Sequence, residues 1–378
     1  MSARAIRLDE LTKTFAPGGD PAVDRLTLDI PGGSIVALIG PSGCGKTTTL
    51  RMINRLIEPT SGRIEIGGVD VTHQPVTELR RDIGYVIQQV GLFPHRTVSA
   101  NIATVPKTLG WSAAQIRDRI AELAALVGLD TDMLDRYPDE LSGGQQQRVG
   151  VARALASDPP VLLMDEPFGA VDPIVRARLQ DELLTLQERL HKTIVLVTHD
   201  IDEALKLADR IALLNVGGTL EQYATPDELL SAPANAFVET FVGEDRGVKR
   251  LQLSLVSQLA FDQGPVVPLE TTPERARAVM AQYRSDWLGV LDDGVFVGWV
   301  PGEGVRDSVS LSELPRYPPA GRVTPSSTLR NAMEVIMNSN TSVAVIDDDG
   351  AFGGVVTLEA IRGALGLSGV DPRTGASV

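Results

Sequence analysis

Two short stretches hold residue types that could do chemistry on phosphate. Gly40-Pro41-Ser42-Gly43-Cys44-Gly45-Lys46-Thr47, continued by Thr48, has the spacing G-x-x-x-x-G-K-[ST]. The glycines leave room for backbone N–H groups to turn inward around phosphate oxygens, and a following helix adds partial positive charge at its N-terminus. Lys46 would reach the β- and γ-phosphates, and the Thr47 hydroxyl would ligate Mg²⁺. Asp165-Glu166 ends the apolar run Val161-Leu162-Leu163-Met164. Adjacent carboxylates at the end of a buried strand are costly unless charge meets them, and Mg²⁺ supplies it. Asp165 would hold the metal or its water, while Glu166, facing the other way by strand alternation, could take a proton from an attacking water. A third apolar run, Ile194-Val195-Leu196-Val197, delivers Thr198-His199-Asp200, which sets His199 beside the expected γ-phosphate as a hydrogen-bonding partner.

These groups need a sheet to hold them. Ile35-Val36-Ala37-Leu38-Ile39 shows no alternation, so it reads as a strand buried on both faces, and Leu50, Ile53 and Ile57 follow the loop at helical spacing. Strand, glycine loop and helix are the context a phosphate loop requires; a glycine-rich turn would need none of the polar residues. Before it, Leu26, Leu28 and Ile30 alternate with polar neighbours as in a half-exposed strand, and Ile6 and Leu8 suggest another. Ile83-Gly84-Tyr85-Val86-Ile87 is a further strand, ending at Gln88. From about Val98 to Pro138 the pattern turns helical, with Ile116, Ile120, Leu123 and Leu126 on one face, which reads as an insertion outside the sheet.

Leu141-Ser142-Gly143-Gly144-Gln145 opens a helix faced by Val149, Ala152 and Leu155, with Ser142 and Gln145 spaced as a capping box. Read plainly, it is a well-capped helix. Read further, it is a second anion site with no second phosphate loop in the chain to serve, which suggests a dimer in which it faces a partner's nucleotide. Asp172-Pro173 caps the next helix, whose apolar face is Leu179, Leu183, Leu186 and Leu190.

The chain has 378 residues, enough for two or three domains, with 49 acidic against 35 basic side chains and a net charge of −14. That balance argues against nucleic acid as the main partner. A single cysteine, Cys44, excludes an intrachain disulfide and fits a reducing compartment; inside the loop it reads as a small residue rather than a redox group. The N-terminus lacks the apolar core of a signal peptide, and no run approaches the ~18 residues needed to span a bilayer.

The set Gly40 to Thr47, Gln88, Leu141 to Gln145, Val161 to Glu166, Asp172 and His199 resembles the ATP-binding-cassette (ABC) ATPases over roughly residues 5 to 243. The resemblance implies an α/β P-loop fold with an antiparallel β subdomain and a helical subdomain at about 95–145. It also implies ATP and Mg²⁺, Phe15 as the adenine-stacking aromatic, and Gln88 as a metal-contacting, catalytic link to a transmembrane partner. Ser142, Gly143, Gly144 and Gln145 become contacts across a head-to-tail homodimer, and Asp172 joins the nucleotide site.

After Phe241-Val242-Gly243 the sequence changes character. Asp292-Asp293-Gly294-Val295-Phe296-Val297-Gly298 returns 56 positions on as Asp348-Asp349-Gly350-Ala351-Phe352-Gly353-Gly354. Each unit reads as helix, strand, Asp-Gly turn and strand, too small to stand alone. The pair resembles tandem cystathionine-β-synthase (CBS) domains, an α+β module. That family often binds adenosine-type ligands with Thr or Ser after the second hairpin strand and Asp three positions on. Here Thr357 is followed by Ala360, and the first repeat has Pro301 and Gly304. A regulatory nucleotide, a cyclic dinucleotide, ionic strength or a purely structural role stay open for it. The expected boundaries are a cassette at 1–243, a linker at 244–250, repeats at 251–306 and 307–366, and a flexible tail at 367–378.

A cassette followed by paired CBS repeats resembles the ATPase subunits of importers for glycine betaine, choline, carnitine or proline, and Phe241 to Arg246 is similar to that group's junction. The resemblance implies permease subunits, an extracytoplasmic substrate-binding protein acting indirectly, and a peripheral place on the cytoplasmic face of the plasma membrane. The alternatives are a soluble cassette ATPase acting on nucleic acid or ribosomes, and an importer ATPase for another polar solute such as an amino acid.

Overall fold

The computed structural model describes residues 3–87, 91–169, 171–259, 262–306, 310–318, 322–338, 343–346 and 351–365. The chain divides into two compact units, Met1–Gly243 and Glu244–Val378.

In the first unit a six-stranded sheet runs in the order β10-β9-β3-β8-β7-β6. Its strands are β3 (Ile35–Ile39), β6 (Ile83–Val86), β7 (Val161–Asp165), β8 (Thr193–Val197), β9 (Arg210–Asn215) and β10 (Thr219–Ala224). All neighbours pair in parallel except β9 and β10. Every residue of β3, β7 and β8 is buried, which is why these runs show no alternation. A separate four-stranded antiparallel sheet, ordered β2-β1-β4-β5, is built from β1 (Ile6–Lys13), β2 (Val23–Ile30), β4 (Ser61–Ile66) and β5 (Val69–Asp70). Along β2 the buried residues are Val23, Leu26, Leu28 and Ile30, the half-exposed pattern its sequence carries.

The phosphate-loop helix spans Lys46–Ile53, so Ile57, read as part of it, lies beyond its end and packs against the core from a turn. Helices Val98–Ile102, Thr104–Thr108 and Ala113–Leu126 form the insertion. Helix Gly143–Leu155 returns the chain to β7 and buries Val149, Ala152 and Leu155.

The second unit holds two three-stranded sheets of one topology. One contains β11 (Val266–Pro268), β12 (Trp287–Asp292) and β13 (Val295–Pro301); the other contains β14 (Arg322–Val323), β15 (Val343–Ile346) and β16 (Phe352–Val356). In each, the first strand is parallel to the second and the second pairs antiparallel with the third. Asp293 (φ 47°) and Gly294 (φ 80°) both adopt the left-handed region, as a two-residue type I′ turn demands. The equivalent Asp348-Asp349-Gly350 lies outside the described residues.

The stretch expected as a linker is partly helical: Arg246–Leu253 is a helix whose Leu251 enters a core with Val256, Val323, Leu329, Val356 and Ile361. Residues that precede the first sheet thus complete the core of the second. Reciprocally, Val305 and Leu311, which precede the second sheet, pack with Val267, Ala276, Leu288 and Val300 of the first. Phe296, Trp299 and Val355 join the two sheets, and the Phe296 ring lies 5.1 Å from Trp299 and 5.7 Å from Phe352. Each repeat therefore buries its apolar face only with help from the other's flank.

Candidate functional site

The C-terminal ends of β3, β7 and β8 lie side by side, so the chain segments leaving them share one edge of the sheet, where open parallel sheets bind ligands. Gly40, just past β3, has φ 145°, and a side chain there would meet the Leu214 carbonyl oxygen at 2.1 Å. Gly45 has φ 87°, and its Cβ would lie 2.4 Å from the carbonyl oxygen of Ala22. These positions admit only glycine, and the loop is thereby pressed between β9 of its own sheet and the segment leading into β2 of the other. Cys44 is fully buried beneath it.

A cleft of about 390 Å³ opens over the loop, lined by Ser42 to Thr48, Glu166, His199 and Ala22. Lys46, only 7% exposed, donates from Nζ to the carbonyls of Gly40 (2.7 Å) and Pro41 (3.0 Å). The Thr47 hydroxyl donates to Asp165 Oδ1 at 2.9 Å. Burial at 6% exposure pushes the Asp165 carboxyl above the usual carboxylate range, with the Glu166 charge adding to the rise; Thr47, Arg51 and Lys46 oppose it. A divalent cation at this oxygen pair would offset that desolvation, so the donor set fits Mg²⁺. Among the described residues no group of three His, Cys, Asp or Glu side chains could hold a metal, so protein carboxylates alone do not build a cation cage here.

Glu166 departs from the expected geometry. It lies beyond β7 with φ 45°, and its N–H donates to the Val197 carbonyl at 2.9 Å. Its direction is set by this left-handed turn rather than by strand alternation. Its Oε1 lies 3.4 Å from Nδ1 of His199, whose side chain is 67% exposed.

The other residues singled out lie elsewhere. Ser142 accepts from the Gln145 N–H at 3.3 Å, and Gln145 Oε1 accepts from the Ser142 N–H at 2.8 Å, completing the capping box. Ser142, Gly143, Gly144 and Gln145 do not line the cleft of their own chain. Nor does Asp172, whose Oδ1 caps Pro173–Leu190 by accepting from Ile174 and Val175. Phe15 is 65% exposed, with Lys13 Nζ 5.3 Å from its ring centroid. Gln88 lies outside the described residues. Sequence reasoning missed Ala22, which reaches the cleft from the other sheet's leading edge and had no motif to mark it.

The ABC transporter family model matches residues 23–169, and the CBS domain model matches residues 311–367. The osmoprotectant import ATP-binding protein OsmV of Salmonella typhimurium is 47% identical over 94% of this chain and 95% of its own length. The chain belongs to the ATP-binding subunits of ABC transporters. The glycine betaine/carnitine/choline transport ATP-binding protein OpuCA of Bacillus subtilis is likewise 47% identical, over 93% of this chain and 94% of its own. A dimeric ATP-binding cassette in a post-hydrolysis state, bound to ADP and Pi, superposes with TM-score 0.53 at 35% identity, over 58% of this chain and 98% of that one. The first unit is thus an ABC cassette, an ATP-binding ATPase domain, and the second a CBS module. No helix among the described residues is long and apolar enough to cross a membrane.

Proposed function

We propose that this subunit hydrolyses ATP to drive import of a quaternary-amine osmoprotectant, of the glycine betaine, choline, carnitine or proline type. It would act from the cytoplasmic face of the membrane through permease subunits, with an extracytoplasmic binding protein supplying the solute. The names of the full-length relatives support the solute class. The observation that carries the chemistry is the Thr47–Asp165 hydrogen bond at the floor of a cleft that also presents Lys46, Glu166 and His199.

In this reading Thr47, Gln88 and Asp165 hold Mg²⁺, which when bound neutralises charge developing on the phosphates. The loop from Gly40 to Thr48 cradles the phosphates with its N–H groups and Lys46. Phe15 stacks on adenine. Glu166 accepts a proton from the attacking water, and His199, beside its Oε1, holds the terminal phosphate. Ser142 to Gln145 and Asp172 serve the nucleotide of a second copy, consistent with the exposure of Ser142, Gly143 and Asp172 outside their own cleft. ATP then favours the closed dimer because it contacts more groups there than in the open state.

The permease would dock in a second groove of about 380 Å³, lined by Tyr85, Ile87, Gly91, Phe93, Val105 and Arg153 and flanked in sequence by Gln88. The CBS pair would regulate transport. Its Thr357 hydroxyl accepts from the Ala360 N–H, so this side chain is engaged in capping a helix.

Reconstitution with permease and binding protein in vesicles, followed by uptake of labelled quaternary amines, tests the proposal. ATP-dependent uptake that Glu166→Gln abolishes while ATP binding persists is expected. No quaternary-amine uptake, or undiminished hydrolysis in that variant, would contradict it.

A further inference from the structure

Arg176 and Glu203 sit behind the cleft and have no part in the chemistry described so far. Arg176, in the first turn of Pro173–Leu190, reaches two loops at once. Its Nη2 donates to the Val171 carbonyl at 3.2 Å, next to Asp172, and its Nη1 lies 3.6 Å from Asp200 Oδ2, next to His199. Asp200 in turn fixes the His199 turn. Its N–H donates to the Thr198 hydroxyl at 3.0 Å, and its Oδ1 accepts from the N–H groups of Asp202 and Glu203 at 2.9 and 3.2 Å.

Glu203, on helix Ile201–Leu207, is 5% exposed. Its Oε1 and the Arg176 Nε are both buried without a hydrogen-bond partner among the described residues. Buried polar atoms are rarely left unmatched unless the site has a use for them. The charged groups facing Glu203 are Asp200 on its own turn, Arg176 from the neighbouring helix and Glu166 from the end of β7. Burial first, and then the Asp200 charge, raise its carboxyl to about 7, against the pull of Thr198 and Arg176. In neutral form it leaves Arg176 to Asp200; as a carboxylate it competes for the same guanidinium.

We propose that Arg176 and Glu203 are positioning residues for ATP hydrolysis, holding the turn that carries His199 in register with the loop that ends at Asp172. The inference rests on the reading of His199 as a phosphate-contacting group. Movement at the start of Pro173–Leu190 would then reach His199 through Arg176 and Asp200, with Glu203 as the neutral floor.

The test is steady-state ATPase kinetics of the full-length chain across pH. Arg176→Ala and Glu203→Ala are expected to lower kcat about ten- to a hundredfold with KM for ATP nearly unchanged, the signature of lost positioning. Glu203→Gln, which keeps a neutral hydrogen-bonding group, should restore most of kcat and remove the alkaline decline that sets in near the Glu203 ionisation. Equal losses in Glu203→Ala and Glu203→Gln, superimposable pH profiles for Glu203→Gln and the parent chain, or a change in KM alone would overturn the proposal. His199→Ala measured alongside separates the two ideas. If it abolishes turnover while Glu203→Ala is silent, the positioning role fails and the His199 reading stands; if His199→Ala is fully active, the His199 reading itself fails.

Discussion

Glu166 was legible in the sequence as a carboxylate after a buried run, but the reason for its direction was not. A left-handed residue at the strand end has no signature unless it is glycine or asparagine, so alternation was the natural expectation and φ 45° the outcome. The glycines are the opposite case, because their need for positive φ follows from the loop itself. Gly45→Ala should strain the backbone and drive a methyl against Ala22; a loss of more than about 2 kcal/mol in denaturant melts, with weakened ATP binding, is expected. Glu203 was invisible because an acid in the first turn of a helix ordinarily reads as a solvated favourable charge. Its buried carboxyl gives a signed prediction. Below its ordinary value of 4.5 it is neutral folded or unfolded; between 4.5 and about 7 the unfolded chain loses the proton first, so stability drains as pH rises. Glu203→Gln should therefore be more stable than the parent at pH 8, by on the order of 3 kcal/mol in denaturant melts, and nearly equal to it at pH 4.

At the scale of elements, periodicity marked the buried strands and the capped helices because burial on both faces and capping boxes write themselves into adjacent residues. Strands β4 and β5 escaped notice, being short and polar on one side, with the pairing of β4 to β1 and of β5 to β4 set by tertiary contact. The helix Arg246–Leu253 also escaped, since Arg246, Lys249 and Arg250 give it a solvated composition while Leu251 is the residue that anchors it. The 56-residue repeat was plain in the sequence, yet a period cannot say which flank completes which core. Leu251→Ala tests that exchange. It should destabilise the second sheet's core by about 2–4 kcal/mol and lower the melting of the C-terminal unit, leaving ATP binding by the cassette unaffected. A loss of cassette stability instead would place Leu251 in the wrong core.

At the scale of the whole molecule, the proposed site is one that a single copy does not finish. The cleft collects the phosphate loop, Glu166 and His199, while the Ser142 to Gln145 cap lies outside it, with Ser142 and Gly143 exposed on the same unit. The sequence carried both halves but not their separation, because linear order says nothing about which surfaces face away from each other. Mixing two inactive variants measures this directly. Lys46→Ala disables the phosphate loop, and Gly143→Leu blocks the cap at an exposed position where an added Cβ meets nothing within 4 Å in its own chain. Each variant alone has no intact composite site, whereas a mixed dimer pairs the sound loop of one copy with the sound cap of the other. ATPase activity is expected to reappear when the two inactive chains are combined; a mixture as inactive as its components would contradict the composite site.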